Sequence, residues 1–238
     1  MKTLKLLAVL LSYPSAELVA ALPELARRFG EDKSLRPGTQ DALAGLLAGL
    51  RREDLLDLQE RYVAQFDTGH STSLHLFEHV HGDSRDRGQA MVDLRSMYHR
   101  AGFVLATNEL PDFLPAVLEY LSTRPAPEAR EVLEDCVHIL RAVGERLLDG
   151  DSPYAAVFSA LLDLHGEPPL VAGRSKAAAD SSQGALDGDW QEAPVEFGPP
   201  SGPNAAAAHG AQQSAGRGQF IRFVPRDPMP NPQPVSHP

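Results

Sequence analysis

Apolar residues recur at spacings of three and four through most of the first 166 residues, while the strict alternation that marks a half-buried strand is almost absent. That periodicity predicts helices over residues 3–11, 15–28, 40–50, 53–66, 127–148 and 153–164, and three more in the centre of the chain. Ser15 reads as a start signal and Gly30 as a stop, with Pro23 a candidate kink between them. Thr39 is placed to cap the third helix, whose small residues at 42, 44, 45, 48 and 49 suit close approach to a neighbour. Leu55, Leu56, Leu58, Tyr62, Val63 and Phe66 fall in one arc of the fourth, and Ser152 followed by Pro153 announces the last. About eight helices without a sheet make an all-α fold, a single helical bundle over residues 1–166.

The centre is denser in chemistry. On a helical wheel Leu74, Leu76, Phe77 and Val80 separate from His75, Glu78 and His79, predicting one amphipathic helix up to Gly82. A charged corner with Asp83, Arg85, Asp86 and Arg87 leads to a second stripe of Ala90, Met91, Leu94, Met97, Tyr98 and Ala101. Asp112 is placed to cap a third helix, with Phe113, Leu114 and Pro115 in its first turn, where a proline costs no ladder bond. The tyrosines at 13, 62, 98, 120 and 154 are expected at core edges with their hydroxyls toward solvent.

Beyond Gly166 the composition changes. Of 20 prolines and 19 glycines, 12 and 8 fall in the last 72 residues, so 167–238 reads as a mostly disordered tail. Two apolar islands interrupt it: a possible docking motif at 189–197, around the sole Trp190, and another at 220–224. A net charge of -10 disfavours nucleic acid, whose phosphates demand a basic surface, and favours a basic or amphipathic partner. No apolar run is long enough to span a bilayer. The N-terminal run lacks a small-residue cleavage site and is read as part of the folded chain. The single cysteine, Cys136, excludes an internal disulfide and reads as a buried apolar residue.

His75, Glu78 and His79 spell H-x-x-E-H, the inverted zinc-peptidase motif, which requires two imidazoles one helical turn apart and a carboxylate to activate water. No third ligand comes with a supporting motif, so no metal or cofactor is expected and a solvated or partner-facing helix face is the plainer reading. The serines lack a G-x-S-x-G elbow and the glycines a phosphate-binding pattern, so no catalytic residue is assigned. A zinc hydrolase and a non-catalytic structural adaptor remain as alternatives.

Longer runs carry a resemblance. LFEHVHGDSRDRGQAMVDL at 76–94, AGF at 101–103, ELPDFLP at 109–115 and SPYAAVF at 152–158 resemble the NarJ family of nitrate reductase assembly chaperones. LSYP at 11–14, YVAQFD at 62–67 and W-x-E-x-P-V-x-F at 190–197 support it. The resemblance implies a TorD-like helical bundle of the TorD and DmsD redox-enzyme maturation group, cytoplasmic and not an enzyme. Its partner would be the N-terminal segment of the nitrate reductase catalytic subunit. The apo-enzyme would be held for molybdenum cofactor insertion before membrane attachment, which brings molybdenum cofactor delivery proteins into reach as partners. The E-x-P-D motif of related leader-binding regions maps onto Glu109, Pro111 and Asp112. Leu110, Phe113, Glu78 and His79 complete the candidate peptide-binding set. Phe113 stands where some relatives carry histidine.

Overall fold

The structure is a computed structural model that describes residues 2–81, 86–105 and 109–173. The expected tail disorder after 173, both apolar islands and the first half of the charged corner, with Asp83 and Arg85, lie outside the described residues. Among those described, nine α-helices and a 3-10 turn at His70–Thr72 form, and no strand beyond an isolated bridge. The helices are α1 (Lys2–Leu10), α2 (Ala16–Gly30), α3 (Pro37–Leu50), α4 (Leu55–Phe66), α5 (Glu78–His81), α6 (Asp86–Arg100), α7 (Leu114–Ser122), α8 (Ala126–Asp149) and α9 (Ala155–His165).

Helix α9 forms the centre. Ala155, Ala156, Val157, Phe158, Ala160, Leu161, Leu162 and Leu164 are all buried, and a helix apolar on every side has to be surrounded. It packs on α8, α3 and α1. The N-terminal apolar run is likewise consumed by the fold: Leu4, Leu7, Leu10 and Leu11 are fully enclosed as α1 packs against α7, α2 and α9. No described helix is long and apolar enough to cross a membrane.

Several boundaries move for physical reasons. Ser15 caps α2 as expected, its Oγ accepting from Leu18 N–H at 3.3 Å. Helix α3 begins three residues early, at Pro37, because Arg36 is held by Asp163 of α9, which accepts the Arg36 backbone N–H at 2.8 Å and pairs with its guanidinium. Thr39 therefore sits buried inside the helix and caps nothing. In α4 only Leu58, Tyr62 and Phe66 are buried. Leu56 and Val63 are 65% and 38% exposed, so the stripe is narrower than the wheel suggested.

The expected close approach through α3 also fails. A Cβ added at Gly45 or Gly49 would meet nothing within 4 Å. The tight crossing is at Gly144 of α8, where a Cβ would meet that of Phe158 at 2.8 Å and Leu170 at 3.0 Å. Leu170 shows that the chain does not leave the bundle at Gly166. Gly166, at φ 88°, closes α9 with Glu167 N–H returning to Leu162 O, and the chain then runs back along α8. Arg141 holds it there through Glu167 and the Pro168 carbonyl, both at 2.9 Å.

Candidate peptide-binding groove

The stretch 74–77 is not helical: the chain bends at Leu74, forms an isolated bridge at His75 and turns through Leu76 and Phe77, and α5 starts only at Glu78. Its amides are committed elsewhere. Leu76 N–H donates to the Asp112 carbonyl at 3.1 Å, Phe77 N–H to the Asp112 carboxylate at 3.0 Å, and Leu114 N–H to the Leu74 carbonyl at 2.8 Å. An antiparallel bridge pairs His75 with Phe113, whose rings lie 5.4 Å apart. A helix over 74–81 would bring Glu78 N–H to the Leu74 carbonyl, but that carbonyl accepts from Leu114 and Glu78 N–H goes to the His75 carbonyl at 3.2 Å, so the docking of α7 delays the helix to Glu78.

Asp112 organises this corner. It is fully enclosed, with one carboxylate oxygen on Phe77 N–H and the other 3.3 Å from His75 Nδ1. Phe113, not Asp112, is the N-cap residue of α7, and no side chain caps that helix. The expected Asp112 cap is thus replaced by a clamp between segments 35 residues apart. Tyr98 adds a second pin, its hydroxyl donating to the Pro111 carbonyl at 2.8 Å, and Tyr62 similarly donates to Leu11 O at 2.8 Å. Both hydroxyls face the interior, contrary to the solvent-facing expectation, because each reaches a carbonyl that no helix satisfies.

The two histidines of H-x-x-E-H take opposite roles. The Asp112 hydrogen bond raises the His75 pKa above its ordinary value, against the opposing pull of burial. Burial depresses that of His79, whose Nε2 donates to the Ser73 carbonyl at 2.9 Å. Burial works to raise Glu78, but hydrogen bonds with Ser73 and Arg87 hold it below the usual carboxylate range. The motif is split between a bridge residue ahead of a turn and a short helix, with each ring bonded to a different partner.

Above the corner runs a groove of about 670 Å³ between α1, α4, α7 and residues 103–105. Val9, Tyr13, Val104, Phe113 and Ala116 give it apolar walls, and Asp67, Glu109 and Glu119 bring three carboxylates. Lys5 approaches Glu119 at 3.8 Å, but both side chains are more than half exposed and the pair is weak. Val104 is 67% exposed and Tyr13 52%, an open apolar face. The wall at 103–105 depends on Gly102: at φ 72° it turns the chain so that Phe103 N–H reaches Tyr98 O at 2.9 Å, and the Phe103 ring lands on Tyr98 and Tyr120. A smaller hollow of about 300 Å³ shares Phe103, Val104, Leu105 and Glu109 and continues past Leu110 to Arg95 and His99.

Of the residues singled out from sequence, Glu109 and Leu110 are exposed at the rim and Phe113 lines the groove. Pro111 and Asp112 are buried beneath it. Glu78 and His79 do not line it. Sequence reasoning missed Val9, Asp67, Val104 and Glu119 as groove residues. A signal existed nonetheless: the LSYP, YVAQFD, AGF and ELPDFLP runs, far apart in the chain, each supply a residue to this groove.

Comparison with known proteins gives the family of the chain. The family model described as nitrate reductase delta subunit matches residues 32–160. The nitrate reductase molybdenum cofactor assembly chaperone NarJ of Escherichia coli K12 is 43% identical over 192 residues, 79% of this chain and 81% of its own length. NarW of the same strain, named a probable chaperone of the same kind, is 38% identical over 83% of this chain and 84% of its own. The corresponding Bacillus subtilis 168 protein is 32% identical over 67% and 86%. These relatives are named as assembly factors rather than catalysts. With a family match over more than half of its length and relatives aligned along most of theirs, the chain belongs to the nitrate reductase delta subunit family.

Proposed function

We propose that this protein is a cytoplasmic chaperone for a respiratory nitrate reductase. It binds the N-terminal segment of the catalytic subunit and holds the apo-enzyme for molybdenum cofactor insertion and complex assembly before membrane attachment. The observation that carries the reading is the open groove with apolar walls and three carboxylates, Asp67, Glu109 and Glu119. Such a surface suits a basic, amphipathic segment read by apolar anchors with charge at the rim. Glu109, Leu110 and Phe113 act as contacts. Asp112 acts through the backbone it fixes, with Pro111 held in the same corner. Glu78 and His79 contribute from behind, by packing the corner rather than by touching the peptide.

Calorimetric titration with the N-terminal peptide of the catalytic subunit at two salt concentrations tests this. Affinity should fall with salt, since exposed pairs are screened over about 10 Å at 0.1 M, and Glu109→Gln should weaken binding while leaving the fold intact. Unchanged affinity in Glu109→Gln together with no salt dependence would place the peptide elsewhere. The zinc-hydrolase alternative finds no support in the geometry, because His75 and His79 are not one turn apart on a helix and face different partners.

A further inference from the structure

The groove is acidic and so is the domain around it: residues 1–173 carry 17 Lys and Arg against 26 Asp and Glu. The chain after 173 is not uniform in charge. Its first apolar island, with Trp190, Val195 and Phe197, carries Asp187, Asp189, Glu192 and Glu196 and no Lys or Arg. Its second, Phe220, Ile221, Phe223 and Val224, is set among Arg217, Arg222 and Arg226 with one acid, Asp227, beside them, and no Lys or Arg lies between 176 and 217. Electrostatics therefore separates the two islands as occupants of the groove. The carboxylates at 67, 109 and 119 outnumber the one lysine of the groove, Lys5, and on balance repel the first and attract the second.

We propose that residues 217–226 of this chain dock in the groove formed by α1, α4, α7 and residues 103–105, as an internal occupant with the same basic, apolar character as an incoming peptide. Reach is no obstacle. The 46 residues from 174 to 219 can extend up to ~150 Å, several times the ~40 Å diameter of a domain of this size. Phe220 and Phe223 supply aromatic surface for the walls at Tyr13, Val104 and Phe113, while Arg222 and Arg226 meet the carboxylates of Glu109 and Glu119. The acidic island stays outside. Tail docking does not depend on the leader proposal. Its consequence, that the tail competes with the catalytic subunit's segment and must be displaced by it, does rest on that reading.

The test uses the full chain with a nitroxide attached through Gln219→Cys. Cys136 is enclosed and burial pushes its thiol up to about 12, so the label goes to the introduced thiol. Amide signals of Val104, Leu110 and Ala116 should lose intensity, while those of Arg51 and Arg52, which do not line the groove, should keep theirs. Arg222→Glu combined with Arg226→Glu should restore the lost signals. Absence of selective loss, or loss that survives the double charge reversal, overturns the proposal. Mixing nitroxide-bearing, isotopically normal chain with label-free, isotope-enriched chain separates the remaining case: loss at the groove in that mixture assigns the occupant to a second copy and also overturns docking within one chain. Because no catalytic-subunit peptide is added, the outcome is independent of the calorimetric test.

Discussion

The crossing of α8 and α9 and the corner joining 74–77 to Asp112 are both enclosed, yet different forces hold them. The crossing is held by apolar contact: Phe158 and Leu170 close over Gly144, with Leu161 and Leu140 among the buried residues around it. The corner is held by direction: two backbone amides, one imidazole and one carboxylate meet at Asp112, and Tyr98 pins the carbonyl beside it. Apolar contact tolerates approximate shape, whereas a clamp of hydrogen bonds fails when one partner is removed. On the function proposed above, the peptide-binding surface rests on the second kind of support.

Five experiments can break or sharpen that contrast. Leu161→Ala, in the fully packed centre, should cost about 4 kcal/mol in urea unfolding, while the folded fraction keeps its affinity for the catalytic-subunit peptide. Asp112→Ala should cost about 3 kcal/mol, because Phe77 N–H and His75 lose a buried partner, and should also reduce peptide affinity; Asp112→Asn, which still accepts from Phe77, should recover part of both. If Asp112→Ala lowered stability without touching affinity, the corner would be mere packing like the crossing. Gly144→Ala should cost about 1–2 kcal/mol through the Phe158 clash, and ending the chain at Gly166 should be destabilising relative to ending it at Gly173, since only the first removes Leu170.

The smallest effect separates the two histidines by pH. The His75 pKa is raised from 6.5, so its contribution is complete below about 6.5 and fades as pH rises through the elevated folded value. The His79 pKa is lowered from 6.5, so its contribution is complete above about 6.5 and is lost as pH falls through the depressed folded value. Replacing His75 by Gln should flatten stability on the alkaline side of 6.5, and replacing His79 by Gln on the acid side. Equal changes from both variants would show that the rings are not in the distinct environments described.

The bundle was legible residue by residue. The spacing over 127–148 predicts Val132, Leu133, Cys136, Ile139, Leu140, Val143 and Leu147 on one face of α8, and all are buried except Val132, which is only partly so, while α6 buries Leu94 and Tyr98 from the expected stripe. The same wheel misread 74–77, because a turn can bury Leu74, Leu76 and Phe77 as well as a helix can, so periodicity over four residues could not separate the two. It misread Asp112 as well. An aspartate one or two residues before a helix is most often a cap, and only the arrival of Phe77 and His75 from another part of the chain makes it a clamp. The groove was half visible: Glu109, Leu110 and Phe113 stood out, but Val9, Asp67, Val104 and Glu119 carry no local mark of belonging to one surface.

The sequence by itself determined the all-helical class, most helix positions, the apolar stripes and, through its longer runs, the family, because helix periodicity and local start and stop signals act over a few residues. Only the tertiary structure decided where α3 begins, that 74–77 stays out of the helix, that Asp112 is buried and that four distant runs share one groove. Each of those outcomes depends on a partner tens of residues away, Asp163 for Arg36 and Phe77 for Asp112, and a long-range partner leaves no period in the chain that it meets.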